Sequence, residues 1–290
     1  TGMVDDSIFD PTTALAGIHN ITYSIGASPC IESLTLAVTV LADPIAEAGI
    51  GGDVCELDFG LGASSNLFGA GSWSGPGSFA PNINDSLATV TASSYGTHTF
   101  YWTVDQSGIC SATDSVTVTF FETPTADAGP DQLLDYLFTS TMDAAIPTAG
   151  SGIWTPNTVG PGVNDDTDPL TDVDQLQIGD NEFLWTVTNG TCPAATDIIT
   201  ITVNDLVIPQ ALTPNYDGKN DYFKIPGIEN TNNTLEILNR WGQTVYKVDN
   251  YQNDWYGLDD SGKELSPDTY FYILEVNGEL KYNGFVVLRK

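Results

Sequence analysis

Lysine and arginine are missing from the first 218 residues of this 290-residue chain: all eight lie between Lys219 and Lys290, against 38 acidic side chains overall. The formal net charge of −30 excludes a phosphate backbone as partner, because nucleic-acid affinity rests on neutralising phosphates with cations. The same gap leaves trypsin nothing to cut upstream. It also denies the acids there any salt bridge, so they must tolerate self-repulsion or gather counter-ions such as Ca2+. No apolar run approaches the roughly 20 residues that cross a bilayer as a helix. The opening stretch TGMVDDSIFD lacks the basic and apolar regions of a signal peptide. The chain reads as a soluble piece of a longer precursor, with no membrane insertion of its own.

Catalytic signatures are equally scarce. There is no nucleophile elbow, P-loop, HExxH or Gly-rich dinucleotide fingerprint. No CxxC or CxxH pair supports a zinc site. The two histidines, His19 and His98, fall two residues after Gly17 and Gly96, with Asn181 in the same place after Gly179. A position that tolerates Asn suits a turn or strand edge better than a general base, and the expectation is a chain without enzymatic activity.

What is present is a repeat. Residues 17–44, 96–124 and 179–205 each read Gly, an alternating aromatic or β-branched run, a polar turn, a Cys, and a second alternating run. Alternation with period two marks antiparallel strands. AEAG at Ala46–Gly49 matches ADAG at Ala126–Gly129, Gly71-Ser72-Trp73 matches Gly152-Ile153-Trp154, and GPG recurs at Gly75 and Gly160. The unit is about 80 residues long. It predicts an all-β chain of tandem immunoglobulin-like antiparallel β-sandwich domains. The divisions are the back half of a repeat (1–43), two repeats (44–123 and 124–206) and a C-terminal domain (207–290). Tyr23, Trp102 and Trp185 take equivalent strand positions and are expected to fill the space between sheets.

The cysteines suit an oxidising, extracellular setting. Cys30, Cys110 and Cys192 are repeat equivalents, whereas Cys55 sits where the next copy has Asp135. The expected bridge is Cys55 with Cys110 inside one repeat, leaving Cys30 and Cys192 unpaired.

Residues 209–290 are the most specific part. Thr213-Pro214-Asn215 with Asp217-Gly218 and Asn220-Asp221 opens the pattern, followed by Phe223, Ile225 and Pro226-Gly227-Ile228. Leu235-Glu236-Ile237, Asn239-Arg240-Trp241-Gly242, Val245-Tyr246, Trp255-Tyr256-Gly257, Pro267 to Tyr272 and Val286-Val287-Leu288 continue it. This stretch closely resembles the gliding-motility-associated C-terminal domain, the type B sorting domain of the Bacteroidetes type IX secretion system. Tyr216 departs from the family, which usually has Gly there. The resemblance implies that the domain carries a passenger across the outer membrane and helps hold it at the cell surface. It implies two partners, the type IX secretion translocon and an outer-membrane β-barrel anchor of the PorP/SprF type. The acidic repeats resemble those of large gliding-motility surface adhesins, so the whole reads as the end of a secreted adhesin. The alternative is the export and stalk region of a secreted enzyme whose catalytic module lies upstream.

Read physically, the C-terminal domain is expected to be another sandwich, with Asn277-Gly278 as a type I′ hairpin turn. Arg240, Trp241, Arg289 and Lys290 are the candidate partner contacts, since Arg and Trp are over-represented at interface hot spots. An Arg stacked on a core Trp explains the first two equally well. Asn215, Asp217, Asn220 and Asp221 present oxygens at calcium-loop spacing, which makes Ca2+ the candidate cofactor. Plain Asx turns explain the same four residues.

Overall fold

The computed structural model describes residues 3–5, 8–64 and 69–289. Contacts divide the chain into two compact units, Thr1–Thr123 with Asn189–Pro193, and Pro124–Thr188 with Ala194–Lys290. Among the described residues there is no α-helix, only a 3-10 turn at Ile228–Asn230, and no helix long and apolar enough to cross a membrane.

In the first unit, one sheet runs in the order Gly52–Cys55, Cys110–Phe121, Gly96–Gln106, Ala70–Ser74. A second sheet runs Asp58–Gly60, Thr89–Ala92, Gly77–Ala80. All pairings are antiparallel except the first strand, which lies parallel along the end of Cys110–Phe121. This is the immunoglobulin-like sandwich that the alternation predicts. Phe100, Trp102 and Val104 point inward from one sheet and meet Val90, Ala92 and Phe79 of the other. The second unit repeats the plan. Gln132–Asp135, Ala195–Asn204, Gly179–Thr188 and Ser151–Pro156 form one sheet, and Ser140–Thr141, Asp172–Asp174 and Gly162–Val163 the other.

The Gly-x-Trp motif now has a cause. Trp73 pairs across strands with Trp102, and Trp154 with Trp185, ring centroids 5.0 and 4.8 Å apart. The second ring of each pair lies over the glycine two residues before the first. A Cβ at Gly71 would stand 1.9 Å from the Trp102 ring, and one at Gly152 2.0 Å from the Trp185 ring. The repeat-equivalent His19, His98 and Asn181 are also structural. His19 Nε2 donates to Leu15 O, His98 Nε2 to Ser94 O and Asn181 Nδ2 to Gln177 O, in each case a carbonyl four residues back. All three tie down the turn that enters the strand.

Three expectations need correction. Cys55 is bonded to Cys192, not to Cys110. Cys55 stands opposite Phe121, whereas Cys110 begins that same 12-residue strand, placing it roughly 35 Å away at about 3.3 Å per residue. A disulfide needs Cα atoms within about 7 Å. Cys192 lies in Asn189–Pro193, the hairpin tip that belongs to the first unit, with its Sγ 3.4 Å from Phe121 O. On the loop-entropy model, closing a separation of 137 residues contributes about 5 kcal/mol. Cys30 and Cys110 are free thiols. Secondly, Tyr23 is 68 % exposed, because its hairpin, Gly17–Ala27 with Cys30–Val40, is a two-stranded sheet with no second sheet over it among the described residues. Thirdly, among the described residues the C-terminal part has one sheet, not two. Its order is Ala211–Leu212, Glu279–Leu288, Asp268–Val276, Asn233–Leu238, Thr244–Asp249. The second layer is irregular chain that supplies Phe223, Ile225, Ile228, Tyr251 and Trp255 to the core. The Asn277-Gly278 turn is as expected, with φ of 52° and 80°.

Carboxylates in the cation-free region are held by amides. Asp114 Oδ2 accepts Ala48 N–H and Asp197 Oδ2 accepts Ala128 N–H, both at 2.8 Å; the AEAG and ADAG copies share these buried alanines and a glycine, at φ 84° and 81°, whose Cβ would stand 2.4 and 2.3 Å from a carbonyl oxygen. The Ala48 amide, then that of Ser115, lowers the Asp114 pKa below the usual carboxylate value. A depressed folded-state pKa contributes stability above the unfolded value, and that contribution is lost as pH falls through the folded one. Asp114→Ala should therefore lower the melting temperature at pH 7, with the gap from the parent narrowing below about pH 4. Separately, Gly71→Ala should cost about 1–3 kcal/mol in urea unfolding through overpacking. Gly60→Ala, where a Cβ meets open space, should stay within about 0.5 kcal/mol.

Candidate functional site

The candidate contacts sit on a turn built by Asn239. Its Oδ1 accepts the N–H groups of Trp241 and Gln243, each at 3.0 Å, and its Nδ2 donates to Gln243 Oε1 at 3.0 Å. Gly242 completes the reversal at φ 78°. The side chains between are thereby thrown outward. Trp241 is 76 % exposed, so it is no core residue. Arg240 nonetheless lies over it, 5.6 Å from guanidinium carbon to ring centroid. Arg240 Nε donates to Asp268 Oδ2 at 2.9 Å, and an Nη joins the same oxygen. That hydrogen bond raises the Arg240 pKa and lowers that of Asp268. The guanidinium is thus held between a carboxylate and an exposed indole.

Arg289 lies elsewhere on the sheet. Its N–H donates to Leu212 O at 2.9 Å, extending the parallel pairing of Ala211–Leu212 with Val287–Leu288, and its side chain is exposed. Lys290 lies outside the described residues.

The Asn215–Asp221 loop is organised by one carboxylate. Asp221, nearly buried, accepts Asn215 N–H at 3.0 Å and Tyr216 N–H at 2.7 Å on Oδ1, and Gly218 N–H at 2.7 Å on Oδ2. Asp217 accepts Lys219 N–H and the Asn215 amide, while Asn215 Oδ1 accepts Asp217 N–H. Asn220 contributes its backbone: its carbonyl accepts Thr213 N–H at 2.8 Å, and its φ is 51°. The loop is thus a set of interlocked Asx turns. Among the described residues no three His, Cys, Asp or Glu side chains are grouped to hold a metal ion. Tyr216 has φ 64° and is 80 % exposed, which is why a glycine suits this position.

Sequence reasoning did not find the contact between the Gln132–Asn204 sandwich and the C-terminal sheet, which lie in one unit. Tyr136 and Leu206 belong to the C-terminal core, and Phe138 packs against both cores. Gly227, at φ 85°, lets the chain pass the Asp135 carbonyl, where a Cβ would come to 2.3 Å. Asn230 Nδ2 donates to the same carbonyl at 3.1 Å, and Tyr282 O–H to Asp205 Oδ1 at 2.6 Å. Burial and Asp205 raise the Tyr282 pKa. The available signal was Asp135 itself, which replaces the bridging cysteine of the preceding repeat.

Asp221→Ala orphans three amides and should cost about 2–3 kcal/mol in denaturant unfolding. Tyr216→Gly, with no packing to lose, should leave stability unchanged or raise it by up to about 1 kcal/mol. Melting curves in calcium and in chelator should coincide if the loop is held by Asx turns alone; a rise in calcium identifies an ion site.

Comparison with known proteins gives one family match. Residues 206–288 match the CHU_C family, the type IX secretion signal domain. No curated protein matches the chain in sequence. Similar solved structures include the I-band fragment I67-I69 of titin (9 % identity, 86 % of this chain and 100 % of that one, TM-score 0.42). Immunoglobulin domains 1–5 of Sidekick-1 are another (11 %, 94 % and 66 %, TM-score 0.41). The PKD domain from the KIAA 1837 protein is a third (22 %, 28 % and 86 %, TM-score 0.25). The chain thus carries a CHU_C type IX secretion signal domain behind its immunoglobulin-like sandwiches, which implies export by the type IX secretion system across the outer membrane to the cell surface.

Proposed function

We propose that the chain is the C-terminal region of a secreted cell-surface adhesin involved in gliding motility, whose last domain both directs export and anchors the protein at the outer membrane. The observation that carries this reading is the secretion signal domain over residues 206–288. The cation-free sandwiches before it support a non-catalytic stalk, because a net charge of one sign disfavours association between copies. Every Lys and Arg lies in the last 72 residues, so only this end is equipped to meet an acidic receptor surface. The anchor is an outer-membrane β-barrel of the PorP/SprF type, reached after the secretion translocon. The exposed Trp241 with Arg240 held over it is the contact of choice, and Arg289 adds charge at the terminal strand. The competing reading, a stalk and export tail for an enzyme, rests on the same domain and differs only in the passenger.

Deleting residues 209–290 should leave a fused reporter in the cell envelope, and normal surface display without them would defeat the export role. In the intact chain, Trp241→Ala should leave unfolding within about 0.5 kcal/mol of the parent. It should lower capture of the barrel by at least tenfold, and unchanged capture would remove this turn from the interface. Loss of surface gliding or attachment on deletion of the gene, with no loss of a secreted activity, separates adhesin from enzyme.

A further inference from the structure

Cys110 is a free thiol in the structure, yet its surroundings copy those of a cysteine that is bonded. Cys192 sits at the tip of the hairpin formed by Gly179–Thr188 and Ala195–Asn204. That tip rests on the end of the preceding repeat's last strand. Asn189 Nδ2 donates to Glu122 O at 2.8 Å, and Gly190 approaches the Phe121 ring so closely that a Cβ would stand 2.4 Å from it. Cys55, the mate of Cys192, arrives there because Gly52–Cys55 lies in parallel register along Val118–Phe121.

One repeat earlier, the same parts recur except the mate. Cys110 is the repeat equivalent of Cys192, and residues 38–41 are the equivalents of Val118–Phe121 by the period of about 80. Cys110 and Ile109 line a groove of about 900 Å³ together with Val40, Leu41 and Ala42, the end of the corresponding last strand. The strand Cys30–Val40 pairs with Gly17–Ala27 on one edge only among the described residues, whereas Cys110–Phe121 is paired on both. The groove and the open edge are what a strand equivalent to Gly52–Cys55 would occupy.

We propose that Cys110 is one half of a second inter-repeat disulfide, bonded to a cysteine on a strand of the same polypeptide that lies parallel along residues 38–41. Where the period continues, that cysteine stands about 80 residues before Cys55. Two S–H groups become one S–S bond, and the two protons and two electrons pass by thiol–disulfide exchange to a disulfide-carrying oxidoreductase, which leaves as its dithiol. Asp135, which replaces the cysteine in the last repeat, meets Gly227 and Asn230 instead of a hairpin tip. The bridge therefore belongs to repeat-on-repeat junctions.

The test is non-reducing peptide mapping of the protein secreted by its own cells, cut with proteases specific for Asp and Glu. The Cys110 peptide should be recovered joined to a peptide whose cysteine precedes Cys55 by about one period, with Cys55–Cys192 as internal control. Recovery of Cys110 as a free thiol, or joined to Cys30 or to a small thiol, would overturn the proposal. On the 290-residue chain, a peptide copying residues 52–60 with its cysteine activated as a mixed disulfide should couple to Cys110 at least tenfold faster than a scrambled peptide. Equal rates would count against the groove as the strand's seat.

Discussion

A chain that carries 26 carboxylates and no cation over its first 208 residues must satisfy them with neutral donors, and much of the architecture follows from that constraint. Backbone amides and hydroxyls take the place of ion pairs. Asp114 and Asp197 clamp the entering segment of each sandwich through the amides of Ala48 and Ala128. Asp131 accepts the amide of Thr200, Asp58 the hydroxyl of Thr91 and Asp180 that of Thr202. Each bond joins segments far apart in sequence, so the acids serve as cross-links within a sandwich while their charge still faces water. Hydrogen bonds of this kind are charge-assisted, which makes them stronger than those between neutral groups.

The same economy appears in the C-terminal domain, where cations are available and a few ion pairs form. Arg240 with Asp268 and Lys247 with Glu236 lie on exposed faces, where such pairs contribute little to stability. The folding energy comes from the packed layer of Phe223, Tyr251, Trp255, Leu235, Ile237 and Leu274, all nearly inaccessible. The Asn239 turn lies outside that layer, with Trp241 exposed and Arg240 tied to Asp268. An exposed tryptophan with a guanidinium over it, on a turn outside the core, is the feature on which the proposed contact rests.

Much of the fold was legible because period-two alternation and the 80-residue repeat are strong local signals. The strands Gly96–Gln106 and Gly179–Thr188, their hairpin partners and the Asn277-Gly278 turn all follow from it. The repeat also singled out Gly71 and Gly152, though their reason, a tryptophan ring from the neighbouring strand, is visible only in the structure. Periodicity says which residues are equivalent, however, and not which ones meet. Cys55 and Cys110 share a repeat but lie at opposite ends of it, and only the register of Cys55 with Phe121 reveals that. The irregular layer around Tyr251 and Trp255 has no period to read. Tyr23 occupies a core position by equivalence, and its exposure depends on a second sheet that no local pattern encodes. In the candidate site, whether Trp241 faced in or out was not legible, because it is decided by Asn239 through bonds to two backbone amides.

The Cys55–Cys192 bond also bears on how the protein answers tension. A pull applied at the two ends of the chain runs along the backbone to Cys55, crosses the disulfide and resumes at Cys192. The intervening stretch, within a separation of 137 residues, is left out of the load path. That stretch includes nearly all of one sandwich and most of the next. At about 3.3–3.6 Å per extended residue, about 450–490 Å of contour length is withheld from stretching for as long as the bond is intact. Reducing that one bond returns the withheld length to the load path, while the strand Ala195–Asn204, which lies beyond Cys192, bears load in either redox state.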